Sequence, residues 1–143
     1  MGYLNDRDAD AVRQELQKLA GPVKLVVFSQ ELEAAELCRQ NEALVKEVAA
    51  LAADKVSVEV LNPTIDRERA GAYGVDRVPA IVVEGARDYG IRFLGIPAGY
   101  EFSNLIDSMI TASSGQAAIS DATQTALAGL AGDVDIKVFS TPT

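Results

Sequence analysis

Ten of the twenty residues from Asp10 to Ser29 recur in order, at a constant offset of 111, between Asp121 and Ser140. The shared pairs are Asp10/Asp121, Ala11/Ala122, Leu16/Leu127, Leu19/Leu130, Ala20/Ala131, Gly21/Gly132, Val23/Val134, Val27/Val138, Phe28/Phe139 and Ser29/Ser140. Each copy reads as a helix pattern followed by a strand pattern. A repeat of this period predicts a structural unit of about 110 residues, with a second unit only begun where the sequence stops. The turn after such a strand is where α/β folds commonly place their chemistry, which directs attention to the residues following Ser29 and Ser140.

A chain of 143 residues suits one domain with a real core and is too short for two of this size. Its formal charge of -8 comes from 21 acidic and 13 basic residues, and no stretch is strongly basic. Neither nucleic acid nor an anionic membrane is expected as a partner, because both need concentrated positive charge. No run comes near the ~18 apolar residues of a membrane span, and residues 1–20 read as an acidic amphipathic helix rather than a secretion signal. There is no His and a single Cys. That inventory excludes an intrachain disulfide and any nucleophile activated by a His base, and leaves little for a self-contained zinc, haem or iron–sulfur site. No cofactor is expected, and the composition is compatible with the cytoplasm.

Asn5 or Asp6 can cap a first helix whose Val12, Leu16 and Leu19 keep one apolar side until Gly21-Pro22 ends it. Val23–Phe28 is almost continuously apolar, as a buried central strand would be. A long helix follows from about residue 34 to 53. On it Leu37, Asn41, Leu44, Val48 and Leu51, with Cys38, Val45 and Ala52 one position over, form a wide inward face. Val56, Val58 and Val60 alternate with polar residues as a strand with one wetter side. A turn at Asn62-Pro63-Thr64 leads to a short helix ending near Gly74. Pro79 opens the strand Ala80–Val83, residues 85–90 form a tight connection, and Ile91–Leu94 is its antiparallel neighbour. Phe102, Leu105, Ile106, Met109 and Ile110 mark a closing helix. The expected divisions are a domain over 1–111, a linker over 112–120 and the first helix and strand of a second unit over 121–143. Val134, Ile136 and Val138 alternate as a strand, which either packs on the first unit or stands loose or exchanged between chains.

Cys38 admits two readings. A free Cys on the inward side of a helix is a small buried hydrophobe. Near a helix N-terminus it can also be an acidified, reactive thiol. The periodicity and the neighbouring Glu31, Glu33 and Glu36 favour the first, since carboxylates oppose thiolate formation. Val78-Pro79 reads as a proline opening a strand, where its missing N–H does little harm.

The element order, with Phe28-Ser29 leading into the long helix and Val78-Pro79-Ala80 into the hairpin, resembles the thioredoxin and glutaredoxin fold. The stretches PVKLVVF at 22–28, GVDRVPAIVV at 74–83, DYGIRFLGIPAGYEF at 88–102 and VDIKVFSTPT at 134–143 resemble more closely the two-unit protein disulfide oxidoreductases of hyperthermophilic archaea and bacteria. The resemblance implies a three-layer α/β/α domain with a four-stranded mixed sheet, plus an extra C-terminal helix and strand. The family carries Cys-x-x-Cys at the start of the long helix. Here Ala35-Glu36-Leu37-Cys38 occupies that place, with Cys38 matching the second, more buried cysteine and Ala35 the attacking one. Pro79 matches the family's cis-proline, which implies a substrate-facing set of Ser29, Ala35, Val78, Pro79 and Ala80. The first unit is thus expected to be redox-degenerate. Its expected partners are a C-terminal thioredoxin-like unit of the same parent, whose Cys-x-x-Cys would follow Thr143, and protein or peptide thiols and disulfides. The alternative is a non-enzymatic docking or peptide-binding domain built on the same groove.

Overall fold

The computed structural model describes residues 2–141. Its centre is the strand β1 (Val23–Phe28), which pairs in parallel with β2 (Val56–Leu61) and antiparallel with β3 (Ala80–Glu84). β4 (Asp88–Leu94) closes the sheet as the hairpin partner of β3, giving the order β2-β1-β3-β4. Every residue of β1 except Lys24 is buried, as its unbroken apolar run requires of a strand covered on both faces. β2 lies at an edge, so besides Ser57 it leaves Val60 exposed, although the alternation of Val56, Val58 and Val60 puts Val60 on the apolar side.

Helices cover the two faces unequally. α1 (Asp6–Leu16), α2 (Ala35–Ala50) and α4 (Tyr100–Ser114) pack on one face over Val23, Leu25, Val27, Ile81 and Val83. Their own contributions include Leu16, Val45, Val48, Leu105 and Met109. α3 (Arg67–Tyr73) alone covers the other face, where Ala70 and Val75 meet Val26, Phe28, Ala80 and Val82. The three-layer, thioredoxin-like architecture expected from the element order is the one observed. Asn5 is the N-cap of α1, its side chain accepting the Asp8 N–H at 2.9 Å.

Several boundaries differ from the sequence reading, among them the ends of α1 at Leu16 rather than Ala20 and of α2 at Ala50 rather than 53. β4 begins at Asp88 rather than Ile91, because a register shift beside Val83/Glu84 and the left-handed Gly90 let the hairpin close over a shorter connection. α4 runs through Ser114, where the left-handed Gly115 caps it, so the expected linker from 112 begins as helix. Finally, α5 (Asp121–Ala128) forms with Ser120 as N-cap, but residues 134–138 are not a strand. A strand needs backbone partners beside it, and the β2 and β3 that flank β1 have no counterparts next to this segment. Val134, Ile136, Val138 and Phe139 accordingly lie exposed.

The short α3 leaves part of its face to charged side chains. Glu59 of β2 accepts hydrogen bonds from both Arg69 guanidinium nitrogens, the Nη2 contact being 2.9 Å, and its Oε2 lies 2.9 Å from Lys24 Nζ. Lys24 also lies 3.6 Å from Glu84, and Arg92 joins Asp88 at 2.6 Å while lying over the Tyr73 ring. Arg69 first, then Lys24, hold the Glu59 carboxyl well below the ordinary carboxylate range, at about 2. A lowered folded-state pKa gives stability that is fully present above the unfolded value near 4.5 and is lost as pH falls toward about 2. Glu59→Gln should therefore be less stable than the parent at pH 7, and the gap should narrow across that acid window. Urea melts from pH 7 to 2 check this, and parallel curves would contradict it.

On the hairpin, a Cβ built on Gly85 would lie 1.8 Å from the Ala112 carbonyl oxygen, so the turn approaches the end of α4 backbone to backbone. Only glycine fits there. Gly85→Ala should cost about 1–3 kcal/mol through overpacking, measured by chemical denaturation.

Candidate functional site

The candidate residues gather at one end of the sheet because β1 and β3 run antiparallel. Register pairs Phe28 with Ala80, so Ser29 and Pro79 leave the sheet side by side. Ser29 extends the parallel ladder, its N–H donating to Leu61 O at 2.9 Å. The Val78–Pro79 peptide is cis, and the Pro79 carbonyl accepts the Gly95 N–H at 2.8 Å, tying the start of β3 to the loop after β4. Pro79 and Ala80 are buried, while Ser29 and Val78 are partly accessible.

α2 begins at this same end, just beyond the loop 29–34. Its N-cap is Ala34, the one non-glycine residue with positive φ among the described residues (φ 49°). An alanine there costs about 1–2 kcal/mol of backbone energy and offers no side-chain oxygen to the first turn. Ala35 is the first helical residue and is partly accessible. Cys38 lies one turn further in, 1% exposed, with its N–H donating to Ala34 O and its thiol facing the Glu33 carbonyl oxygen at 3.7 Å. Asn41 follows on the same inward side, wholly buried, and neither side-chain amide atom has a hydrogen-bonding partner. Leu37, read from the sequence as part of that inward side, points outward and is half exposed. The buried stripe runs through Cys38, Asn41, Leu44, Val45, Val48 and Ala49, with Asn41, Leu44, Val45 and Val48 on the i, i+3, i+4, i+7 line and Leu37 outside it.

Carboxylates dominate the charge around the helix start. Arg39, the cation nearest Cys38 in sequence, is held by Glu31 at 3.0 Å and Glu36 at 3.2 Å out in solvent. Gln40 and then Arg39 keep the Glu36 carboxyl below its usual range, so that side chain stays an anion beside the first turn. Among the described residues, no group of three or more His, Cys, Asp or Glu is placed to hold a metal ion. Nor is any helix long and apolar enough to cross a membrane.

Chemically, the arrangement offers one shielded thiol, no second thiol, and a partly accessible Val78 before the buried Pro79. Thiol–disulfide exchange needs a thiolate that attacks one sulfur of a disulfide and a resolving thiol that releases the mixed disulfide. Ala35 supplies neither. The sequence reading missed the apolar side chains rimming this end. Leu32 in the loop before α2 is 97% exposed and Ile65 after β2 is 80% exposed. Between their loops and α3 lies an open cleft of about 390 Å3, lined by Gln30, Glu33, Pro63, Thr64, Arg67 and Val75 among others. Lone apolar residues in loops carry no periodicity, so no sequence pattern points to them.

No protein-family model matches the chain. A protein of Methanothermobacter marburgensis named "Probable Thioredoxin" is 33% identical over 88 residues, covering 62% of this chain and 96% of that protein. A second protein so named, from Methanothermobacter thermautotrophicus, is 39% identical over 54 residues, covering 38% of this chain and 59% of its own length. Among solved structures, a protein disulfide oxidoreductase from Aeropyrum pernix superposes with a TM-score of 0.76 at 25% identity, over 90% of this chain and 56% of that one. The alkylhydroperoxide reductase AhpF of Enterococcus faecalis superposes with a TM-score of 0.79 at 22% identity, over 90% and 61% respectively, and supports the fold. The chain thus spans about three fifths of either solved chain.

Cys38 should be alkylated slowly in the native protein and quickly after denaturation, followed by mass spectrometry; fast native labelling would show the helix start to be open. Cys38→Ala should lower stability by about 1 kcal/mol through lost packing.

Proposed function

Because the chain belongs to the thioredoxin family, we propose that residues 1–111 are the redox-degenerate unit of a two-unit protein disulfide oxidoreductase. In this reading, thiol–disulfide exchange in the complete protein is carried by a dithiol in the second unit, which the repeat at 121–140 begins. The first unit supplies a scaffold and a substrate-facing end around Ser29, Ala35, Val78, Pro79 and Ala80. The observation that carries the reading is Ala35, one turn before a Cys38 that is closed to solvent. An attack through Cys38 alone would stop at a mixed disulfide, with no neighbouring thiol to resolve it. The A. pernix oxidoreductase, of which this chain spans 56%, supports the family activity for the whole protein.

The rim of Leu32, Leu37 and Ile65 favours a second reading, in which this end docks a peptide or another redox domain without chemistry. Exposed apolar side chains at a domain surface are a common way to hold a partner segment. The two readings agree that residues 1–143 do not turn over disulfides.

Reduction of insulin by dithiothreitol tests this directly. Addition of the chain should leave the rate at background, and Cys38→Ser should match the parent. Acceleration by the parent that is abolished in Cys38→Ser would defeat both readings.

A further inference from the structure

Away from the Pro79 end, an open groove of about 460 Å3 lies between α1 and α4. Leu4, Val12, Phe102 and Ile106 make its lining apolar, and Asp8, Glu15 and Asp107 line it as well. Val12 and Ile106 are buried and Leu4 and Phe102 half-buried, whereas Asp8 and Asp107 are exposed. The apolar side chains therefore form the floor, and the carboxylates stand at the mouth. One end of the groove is fixed in place. The Tyr3 and Leu4 N–H groups both donate to the Glu47 carboxylate of α2, at 2.7 and 3.0 Å, which pins the chain where Leu4 enters the lining. A second apolar cleft, of about 410 Å3, shares Leu4 and Phe102 and continues past Leu44 to Ile96 and Pro97. Volumes of this order suit small-molecule sites, whose floors are apolar and whose few polar groups set orientation.

The sign of the charge selects the occupant. No Lys or Arg lines the groove, and α4 carries Glu101 and Asp107 with no cation. Glu15 is matched by Lys18 at 2.6 Å. Among the described residues Asp8 and Asp107 are in no ion pair, and the side-chain partner of Asp8 is the neutral Asn5 amide at 2.8 Å. An apolar floor beneath unanswered carboxylates complements a molecule that is apolar along its body and positive at its head. A neutral hydrocarbon leaves the carboxylates unanswered, and an anion is repelled by them. The exposed Leu127 and Leu130 of the same chain are poorly matched to it, because residues 119–141 carry Asp121, Asp133 and Asp135 against Lys137 alone. A second copy would bring a further net charge of -8 to the contact.

We propose that the α1–α4 groove binds an amphipathic cation, a small molecule whose hydrocarbon or aryl body lies on Val12, Phe102 and Ile106 and whose ammonium group is held at the mouth by Asp107, with Asp8 adding to the field. Neither the thiol nor the residues around Pro79 take part, so the proposal stands or falls separately from the redox reading.

Phenylbutylammonium, an aryl chain ending in a primary ammonium that is charged at pH 7, tests this when titrated into the full isotope-labelled chain. Amide chemical shifts should move saturably and concentrate on residues 8–15 and 102–107. Phenylbutyrate, with the same body and the opposite charge, should bind about tenfold more weakly or worse. Methylammonium, the head without the body, should leave these amides unmoved at equal concentration. Asp107→Asn should weaken phenylbutylammonium by about threefold, an effect that shrinks as salt is added. Asp107 is exposed, so the variant's melting temperature should match the parent's. Ser103→Trp, which puts an indole among the lining residues, should abolish binding. Equal binding of phenylbutyrate would show a groove that reads no charge, and equal shifts with methylammonium would show an acidic surface that reads no apolar body; either overturns the proposal. So would shifts that fail to saturate or that centre outside α1 and α4, or Asp107→Asn binding like the parent at low salt.

Discussion

The pairing of β1 on both of its edges is the constraint from which the rest of the molecule follows. With β2 on one side and β3 on the other, all backbone hydrogen-bonding groups of β1 can be met within the sheet, and its side chains are free to be apolar on both faces. Alternation then sorts Val23, Leu25 and Val27 into the core with three helices, and Val26 and Phe28 into the core with α3. The same pairing brings Ser29, Pro79 and the start of α2 to one end of the sheet. Antiparallel register does this without any interaction between the site residues themselves.

The two cores are unequal, and polar chemistry makes up the difference. Three helices seal one face with aliphatic side chains. A seven-residue α3 cannot span the other, and Glu59, Lys24, Glu84, Arg69 and Arg92 pave what it leaves uncovered. Half-exposed ion pairs of this kind stabilise only modestly.

Much of this was legible in the residues. The continuous apolar run of β1 matches its observed span, and the 3.6-residue spacing put Cys38 inside α2. Leu37 was misplaced because it lies in the first turn of α2, one position from Cys38, and an apolar residue there fits the edge of the stripe in sequence without being covered in the fold. The strand pattern at 134–138 describes what the segment can do beside partners, and alternation carries no information about whether partners are present. The exposure of Leu32 and Ile65, the contact of Arg39 with Glu31 and the unpartnered amide of Asn41 were beyond reach for another reason. Each joins or opposes groups from different elements or from aperiodic loops, and no local pattern encodes them.

The hydrogen bond from the Ala20 N–H to Ser113 Oγ, 3.0 Å long, fastens the turn before β1 to the last turn of α4. It places the chain's way out of the unit beside the α1–β1 turn, at the opposite end of β1 from Ser29. Six residues of strand keep those two ends about 20 Å apart. Polypeptide that continues beyond α4 therefore departs from one pole of the sheet and leaves the surface around Ser29 and Pro79, at the other pole, unobstructed.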